Sequence, residues 1–140
     1  MIGTEQAKVE SAVLLANASF YRAFSEGDAK AMGELWAKRA PVACLHPGAE
    51  LISGRAAVMS GWRQILRGEQ SFELRCDSPT VRVFGELALV QCYEATDDQS
   101  AHLAATNAFV LEDGAWRMVH HQAGPLSRPI PKPEARGLVN

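Results

Sequence analysis

A change of hydrophobic period divides this chain near Gly68. Before it, apolar residues recur at three- and four-residue steps, the spacing of one helix face; after it they alternate, the spacing of a strand. Helices gathered in one half and strands in the other imply an α+β domain, with helices covering one face of an antiparallel sheet. In the first half, Val9, Ala12, Val13, Ala16, Phe20, Ala23 and Phe24 predict a helix capped at Thr4, with Glu5 in its first turn, and ended by Gly27. Asp28 is placed to cap a second, shorter helix with Ala29, Met32, Leu35 and Trp36 on one face and Lys38 and Arg39 in its last turn. A third helix follows Ser53-Gly54 with Ala57, Val58, Gly61, Trp62, Ile65 and Leu66 on one side.

Between the second and third helices, Val42 to His46 reads as a buried strand before the Pro47-Gly48 turn. In the second half, Phe72, Leu74 and Cys76 alternate with polar residues, but past Ser78-Pro79 the apolar positions move to Val81 and Val83. That odd shift predicts a bulge or bend near Pro79, since proline cannot serve an interior ladder. Gly85-Glu86, Asp97-Asp98-Gln99 and Asp113-Gly114 are turn signals, so Leu87–Thr96, Ala101–Glu112 and Ala115–Ala123 complete a meander of four long strands. A sheet bent strongly enough to wrap three helices leaves a cone-shaped hollow. Pro125, Pro129, Pro131 and Pro133 mark residues 125–140 as an extended tail following a single domain over residues 1–124.

Composition narrows the function classes. The chain has 140 residues, 47% of them apolar, and a formal charge of -2. No basic run interleaves with aromatics, which argues against a nucleic-acid partner. The apolar runs are far shorter than the roughly 20 residues that span a bilayer, and no basic segment precedes an apolar core at the start, so a cytoplasmic protein without a membrane partner is expected. The three cysteines, Cys44, Cys76 and Cys92, have no spacing that suggests a disulfide framework or a zinc knuckle. No cofactor is implied, and a metal site would require His46, His102, His121 and Glu94 to converge from distant parts of the chain.

Three stretches carry a resemblance to a known family. These are Gly27-Asp28-Ala29 through Trp36-Ala37, Val42-Ala43-Cys44-Leu45-His46-Pro47-Gly48 through Gly54-Arg55, and the closing Trp116-Arg117-Met118-Val119-His120-His121 strand. Together they resemble the nuclear transport factor 2-like superfamily, and within it the SnoaL-like group that also includes the association domain of calcium/calmodulin-dependent protein kinase. The resemblance implies the cone of the cystatin-like fold. It leaves activity open, because isomerases, polyketide cyclases, dehydratases and non-catalytic scaffolds share that cone. Against ketosteroid isomerase, the helix tyrosine position falls on Phe20 and the first-strand carboxylate position on Cys44, so that enzyme's usual pair is absent. Against the association domain, the pocket arginine position falls on Ala123.

The adjacent pair His120-His121 is the strongest chemical signal, because alternation along a strand sends the two imidazoles to opposite faces. With Val119, His121 and Ala123 facing the cone, His121 is the interior imidazole, either a ligand-facing acid/base group or a satisfied structural histidine. Trp116, Met118 and His120 then face outward, where wide side chains favour a homodimer interface. In the neighbouring strand either Cys92 and Glu94 or Tyr93 points inward; an inward Glu94 would be desolvated and chemically active. Asn107 with small neighbours is a candidate polar anchor, as is Tyr21, while Phe20, Trp62, Cys44 and His46 are candidate wall residues. His46 is also placed to meet Cys44, two residues away on the same strand face, Arg55 to cap the rim, bind an anion or form a surface ion pair, and His102 to be solvated. Two functions follow. One is a small-molecule-binding cone, taking a hydrophobic or carbonyl-containing ligand and using acid/base chemistry for isomerisation, cyclisation or dehydration; the other is a non-catalytic association module.

Overall fold

The structure is a computed structural model that describes residues 2–68, 73–96 and 100–133. The expectations placed on Phe72, on Asp97-Asp98-Gln99 and on residues 134–140 of the tail lie outside the described residues.

The three helices are α1 (Ile2–Glu26), α2 (Ala29–Leu35) and α3 (Arg55–Arg67). α1 starts at Ile2 and runs through Thr4, so Thr4 is not its cap. One stripe of α1, Val13, Asn17, Phe20, Tyr21 and Ala23, is buried. The joint to α2 is local chemistry. Gly27 takes a positive φ of 66°, and the amides of Gly27 and Asp28 return to the carbonyls of Phe24 and Ala23, closing the helix end. Asp28 Oδ1 then accepts from the Ala31 amide at 3.0 Å and starts α2. α2 stops at Leu35, earlier than expected, which leaves Lys38 and Arg39 in the following loop. Trp36 is drawn out of the helix into an isolated bridge with Met118.

The strands are β1 (Ala43–Leu45), β2 (Ile52–Ser53), β3 (Arg75–Phe84), β4 (Leu87–Ala95), β5 (Ser100–Glu112) and β6 (Ala115–Pro131). They form one curved, open sheet in the order β2-β1-β6-β5-β4-β3. The meander of long strands is antiparallel as expected; β1 joins it parallel to β6, which makes the sheet mixed. The predicted irregularity near Pro79 is present as a register shift between Asp77 and Thr80, with Ser78 at φ 54°. Two features of β6 depart from the sequence reading. The strand runs past Ala123 to Pro131, pairing Leu103 with Pro125 and Ala101 with Ile130, so residues 125–131 belong to the sheet and not to a free tail. Proline is tolerated there because β1 pairs with β6 only over His120–Gln122, which leaves that side of the later strand without a ladder to serve. The second departure is a bulge: Ala108 opposes His120 while the next residue, Phe109, opposes Met118, so Val119 is the extra residue. It resets the alternation, and both His121 and Met118 turn inward.

The core lies between the helices and the inward sheet face, and its largest fully buried members include Trp36, Trp62, Phe20, Phe109, Met32 and Met118. Met118 is 0% exposed, which corrects the expectation that it faces outward. Trp116 is half-buried and packs against the same core. Arg55 reaches carbonyls in and just past the last turn of α2, donating to Gly33, Trp36 and Ala37 at 2.7, 3.0 and 2.9 Å, so it closes a helix end instead of binding at a rim.

Candidate functional site

β4, β5 and β6 each send one polar side chain inward: Glu94, Asn107 and His121. Asn107 pairs directly with His121 across the β5–β6 ladder, and β4 brings Glu94 opposite Leu103 of β5. Across from them, α1 presents Asn17 and Tyr21, one helical turn apart on its buried stripe. These five groups form one hydrogen-bonded chain. His121 Nδ1 lies 2.6 Å from Asn107 Oδ1. Asn107 Nδ2 donates to Asn17 Oδ1 at 2.8 Å and to the Tyr21 hydroxyl at 3.1 Å. The Tyr21 hydroxyl donates to Glu94 Oε2 at 2.7 Å and also touches Cys92 Sγ at 3.2 Å, while Asn17 Nδ2 donates to Cys76 Sγ at 3.5 Å. The atoms named in these bonds satisfy one another, as a buried polar network requires, and His121 Nε2 lies outside them.

Burial sets the charge states. His121 is 3% exposed, and desolvation, helped by the nearby His46 and His120, holds its pKa down at about 3, so the imidazole is neutral. Burial raises the pKa of Glu94, against which the Tyr21 hydrogen bond works, and that of Tyr21, while Cys92 is raised first by its hydrogen bond with Cys76 and then by burial. Of the two orientations open to β4, the structure takes the one with Glu94 inside and Tyr93 on the outer face.

The far side of the His121 ring is walled by aromatics, with ring centres 4.8 Å from Phe20, 5.9 Å from Trp62 and 6.0 Å from His46. His46 Nε2 lies 3.4 Å from Cys44 Sγ. Burial pushes the Cys44 thiol up to about 12 and lowers His46, so the pair is a neutral thiol beside a neutral imidazole and not an activated nucleophile. Thus the hollow expected at His121 is, at this depth, a polar cluster closed by rings, with half-buried His46 as the part of the wall nearest solvent. The indole N–H groups of Trp62 and Trp36 are buried with no acceptor among the described residues, two donors left open beside this cluster.

Of the expected site residues, His121, Glu94, Asn107, Tyr21, Phe20, Trp62, Cys44 and His46 come together here. Ala123 is buried on the same face two residues beyond His121. Val119 does not join them: as the bulge residue it is only half-buried. His102 is exposed, and among the described residues no three His, Cys, Asp or Glu side chains are grouped to hold a metal ion. Asn17 was missed by sequence reasoning, although it falls four residues after Val13 and three before Phe20 on the apolar stripe, where a polar residue signals a buried partner. Glu112 was also missed: its carboxylate accepts from the amides of Lys38, Arg39 and Ala40 at 2.8, 3.1 and 3.1 Å and is held below the usual range, first by the Lys38 amide.

The opposite face of the same strands is open. A surface cleft of about 570 Å³ there takes in Gln91, Tyr93, Thr106, His120 and Gln122. A second cleft of about 460 Å³ reaches Tyr21 from the side of Ser25, Leu74 and Thr96. Among the described residues no helix is long and apolar enough to cross a membrane.

The family model of the SnoaL-like domain matches residues 13–128. A candidate dehydratase of the NTF2-like family from Streptomyces avermitilis is 29% identical, with a TM-score of 0.77 over 89% of this chain and 99% of that one. A candidate calcium/calmodulin-dependent protein kinase type II association domain from Thiobacillus denitrificans is 33% identical, with a TM-score of 0.68 over 80% and 93% of the two chains. The F-box protein SKIP8 of Arabidopsis thaliana is 28% identical over 112 residues; these cover 80% of this chain but only 48% of that protein, so the chain spans about half the length of this relative.

Proposed function

The chain belongs to the SnoaL-like domain family, and from that membership we propose that its interior binds a small, uncharged carbonyl compound on which His121 acts as the acid/base group. One observation carries the reading: of two adjacent imidazoles, the one turned inward is neutral, hydrogen-bonded at one nitrogen and set against aromatic rings with an unpartnered indole donor. A neutral imidazole keeps a lone pair for a proton beside a carbonyl; with a folded pKa of about 3 it is a weak base, and the transfer depends on the developing enolate stabilising the imidazolium beside it, with the Trp62 N–H as a donor available to that oxygen. The likeness to a candidate dehydratase supports proton removal followed by loss of a neighbouring hydroxyl as water. Entry of a ligand requires the His46 and Trp62 rings, which wall the imidazole, to turn aside. A cytoplasmic setting belongs to the same reading, in which Cys44, Cys76 and Cys92 are all free thiols.

The test is exchange of protons beside the carbonyl in small cyclic ketones, followed by NMR in deuterated water. Wild type accelerates the exchange, His120→Ala retains the effect and His121→Ala abolishes it; equal rates for the three proteins rule the reading out. Native mass spectrometry of co-purified small molecules would then identify the ligand.

A second reading has its own observation. Phe84 is 56% and Leu87 40% exposed, and they pair with one another at the open end of the sheet, a surface suited to a second copy of the chain. The likeness to a candidate association domain favours a homodimer on this outer sheet face. Sedimentation of the wild type and of Phe84→Glu distinguishes the cases: a dimer dissociated by the substitution supports this interface, and a monomeric wild type excludes it.

A further inference from the structure

The chain of hydrogen bonds around His121 has a direction, and Asn107 sets it. An amide offers two N–H donors on one side and an oxygen on the other. Both donors of Asn107 have acceptors at hand, Asn17 Oδ1 at 2.8 Å and the Tyr21 oxygen at 3.1 Å. Because the Tyr21 oxygen receives that N–H, its own proton is free to go to Glu94 Oε2 at 2.7 Å, where a carboxylate accepts it. Only Oδ1 of Asn107 is then left for His121, at 2.6 Å, and an oxygen at that distance demands a proton on Nδ1. A neutral imidazole carries a single ring proton, so the other nitrogen is bare.

We infer that Asn107 is a positioning residue that holds His121 in its Nδ1–H form, leaving Nε2 as the proton acceptor and restricting the site to ligands that bring a proton donor. The same amide insulates His121 from Glu94: an amide holds its neighbours but does not relay a proton between them while it stays an amide, so Glu94 orders the chain through Tyr21 without exchanging protons with the imidazole. Ligand class follows from the surroundings. The groups facing the free side of the ring are Phe20, Trp62 and His46, with the Cys44 thiol behind His46, and none is a cation. An anion would enter without a counter-charge, whereas a neutral hydroxyl or an acidified C–H meets a bare nitrogen and an indole N–H. This deepens the proposed function by naming the reactive nitrogen and the charge of the ligand.

The experiment is long-range proton–nitrogen NMR on the full chain with ring-labelled histidine, His121 being assigned by its loss in His121→Gln. The expected wild-type signature at neutral pH is a protonated Nδ1 and a bare Nε2. Asn107→Ala should lose that preference, and Asn107→Asp, which restores an acceptor but not the donors, should recover the proton on Nδ1, a pattern that loss of packing alone does not produce. A proton on Nε2 in the wild type, or a tautomer unchanged in Asn107→Ala, overturns the inference, and the wild-type spectrum decides it even if a variant fails to fold. Phenol and benzoate then read the ligand side: phenol should shift Nε2 and leave Nδ1 in place, with benzoate binding roughly ten-fold or more weakly because its charge must be desolvated. Benzoate binding as well as phenol overturns the ligand restriction. An Nδ1–H tautomer that neither probe disturbs upholds the role of Asn107 and counts instead against the proposed ligand site.

Discussion

The two faces of β4, β5 and β6 carry similar side chains in opposite settings. Inside are a carboxyl, an amide and an imidazole, Glu94, Asn107 and His121; outside, at adjoining positions, are Gln91, Thr106, His120 and Gln122. The outer groups also hydrogen-bond, Gln91 Nε2 to Thr106 Oγ1 at 3.4 Å and His120 Nε2 with Gln122 Oε1 at 3.3 Å, but these bonds are exposed and compete with water. The inner bonds have no such competitor. Losing one strands its partners in a medium that cannot solvate them, which costs about 1–3 kcal/mol per orphaned group, whereas an exposed bond contributes little net. The lesson is that side-chain chemistry alone does not distinguish a structural ladder from a candidate site; desolvation does.

This contrast can be broken at its strongest point first. Met118→Ala should cost about 3–4 kcal/mol in urea unfolding, since it empties a fully buried place beside Trp36; a cost under about 1 kcal/mol would return Met118 to the outer face. Asn107→Leu comes next, at about 3 kcal/mol, because it orphans His121, Asn17 and Tyr21 together, while Thr106→Val, its neighbour on the other face, should cost about 0.5 kcal/mol or less. Similar costs at both positions would remove the distinction between the faces.

The pH dependence sharpens it further. The folded pKa of His121 is depressed from 6.5 to about 3, so below about pH 6.5 the unfolded imidazole binds a proton that the folded one refuses. Its contribution is therefore complete above 6.5 and lost as pH falls toward 3. His121→Gln should remove about one proton's worth of that slope, and His120→Gln should remove none. Glu94 has the opposite sign: its folded pKa is raised, so its contribution is full below the ordinary carboxylate value of 4.5 and declines as pH rises through the raised one. Glu94→Gln keeps an acceptor for Tyr21 and should flatten the alkaline side of the stability profile. Smallest of all, His120→Ala should change stability by no more than about 0.5 kcal/mol.

Much of the architecture was legible because it rests on local rules. The positive φ at Gly27, the cap at Asp28 and the irregularity at Ser78-Pro79 are demands that a few neighbouring residues make on their own backbone, so period and turn chemistry read them directly. The inward turn of His121 was within reach of simple alternation. Met118 was not, because the extra residue at Val119 is settled by the pairing of β6 with β5, and Val119 carries no glycine or proline to announce it. Residues 125–131 misled for a related reason: their prolines look like a free tail until one sees that β1 ends too early to need their missing donors.

Sequence alone therefore determined the order of helices and strands, their turns and the opposition of His120 to His121, since each depends on residues within about one or two turns of each other. Tertiary structure decided which polar groups meet. Asn17, Tyr21, Glu94, Asn107 and His121 come from α1, β4, β5 and β6, and only the closing of the helix onto the sheet brings them within hydrogen-bond distance, excludes water and holds the imidazole neutral.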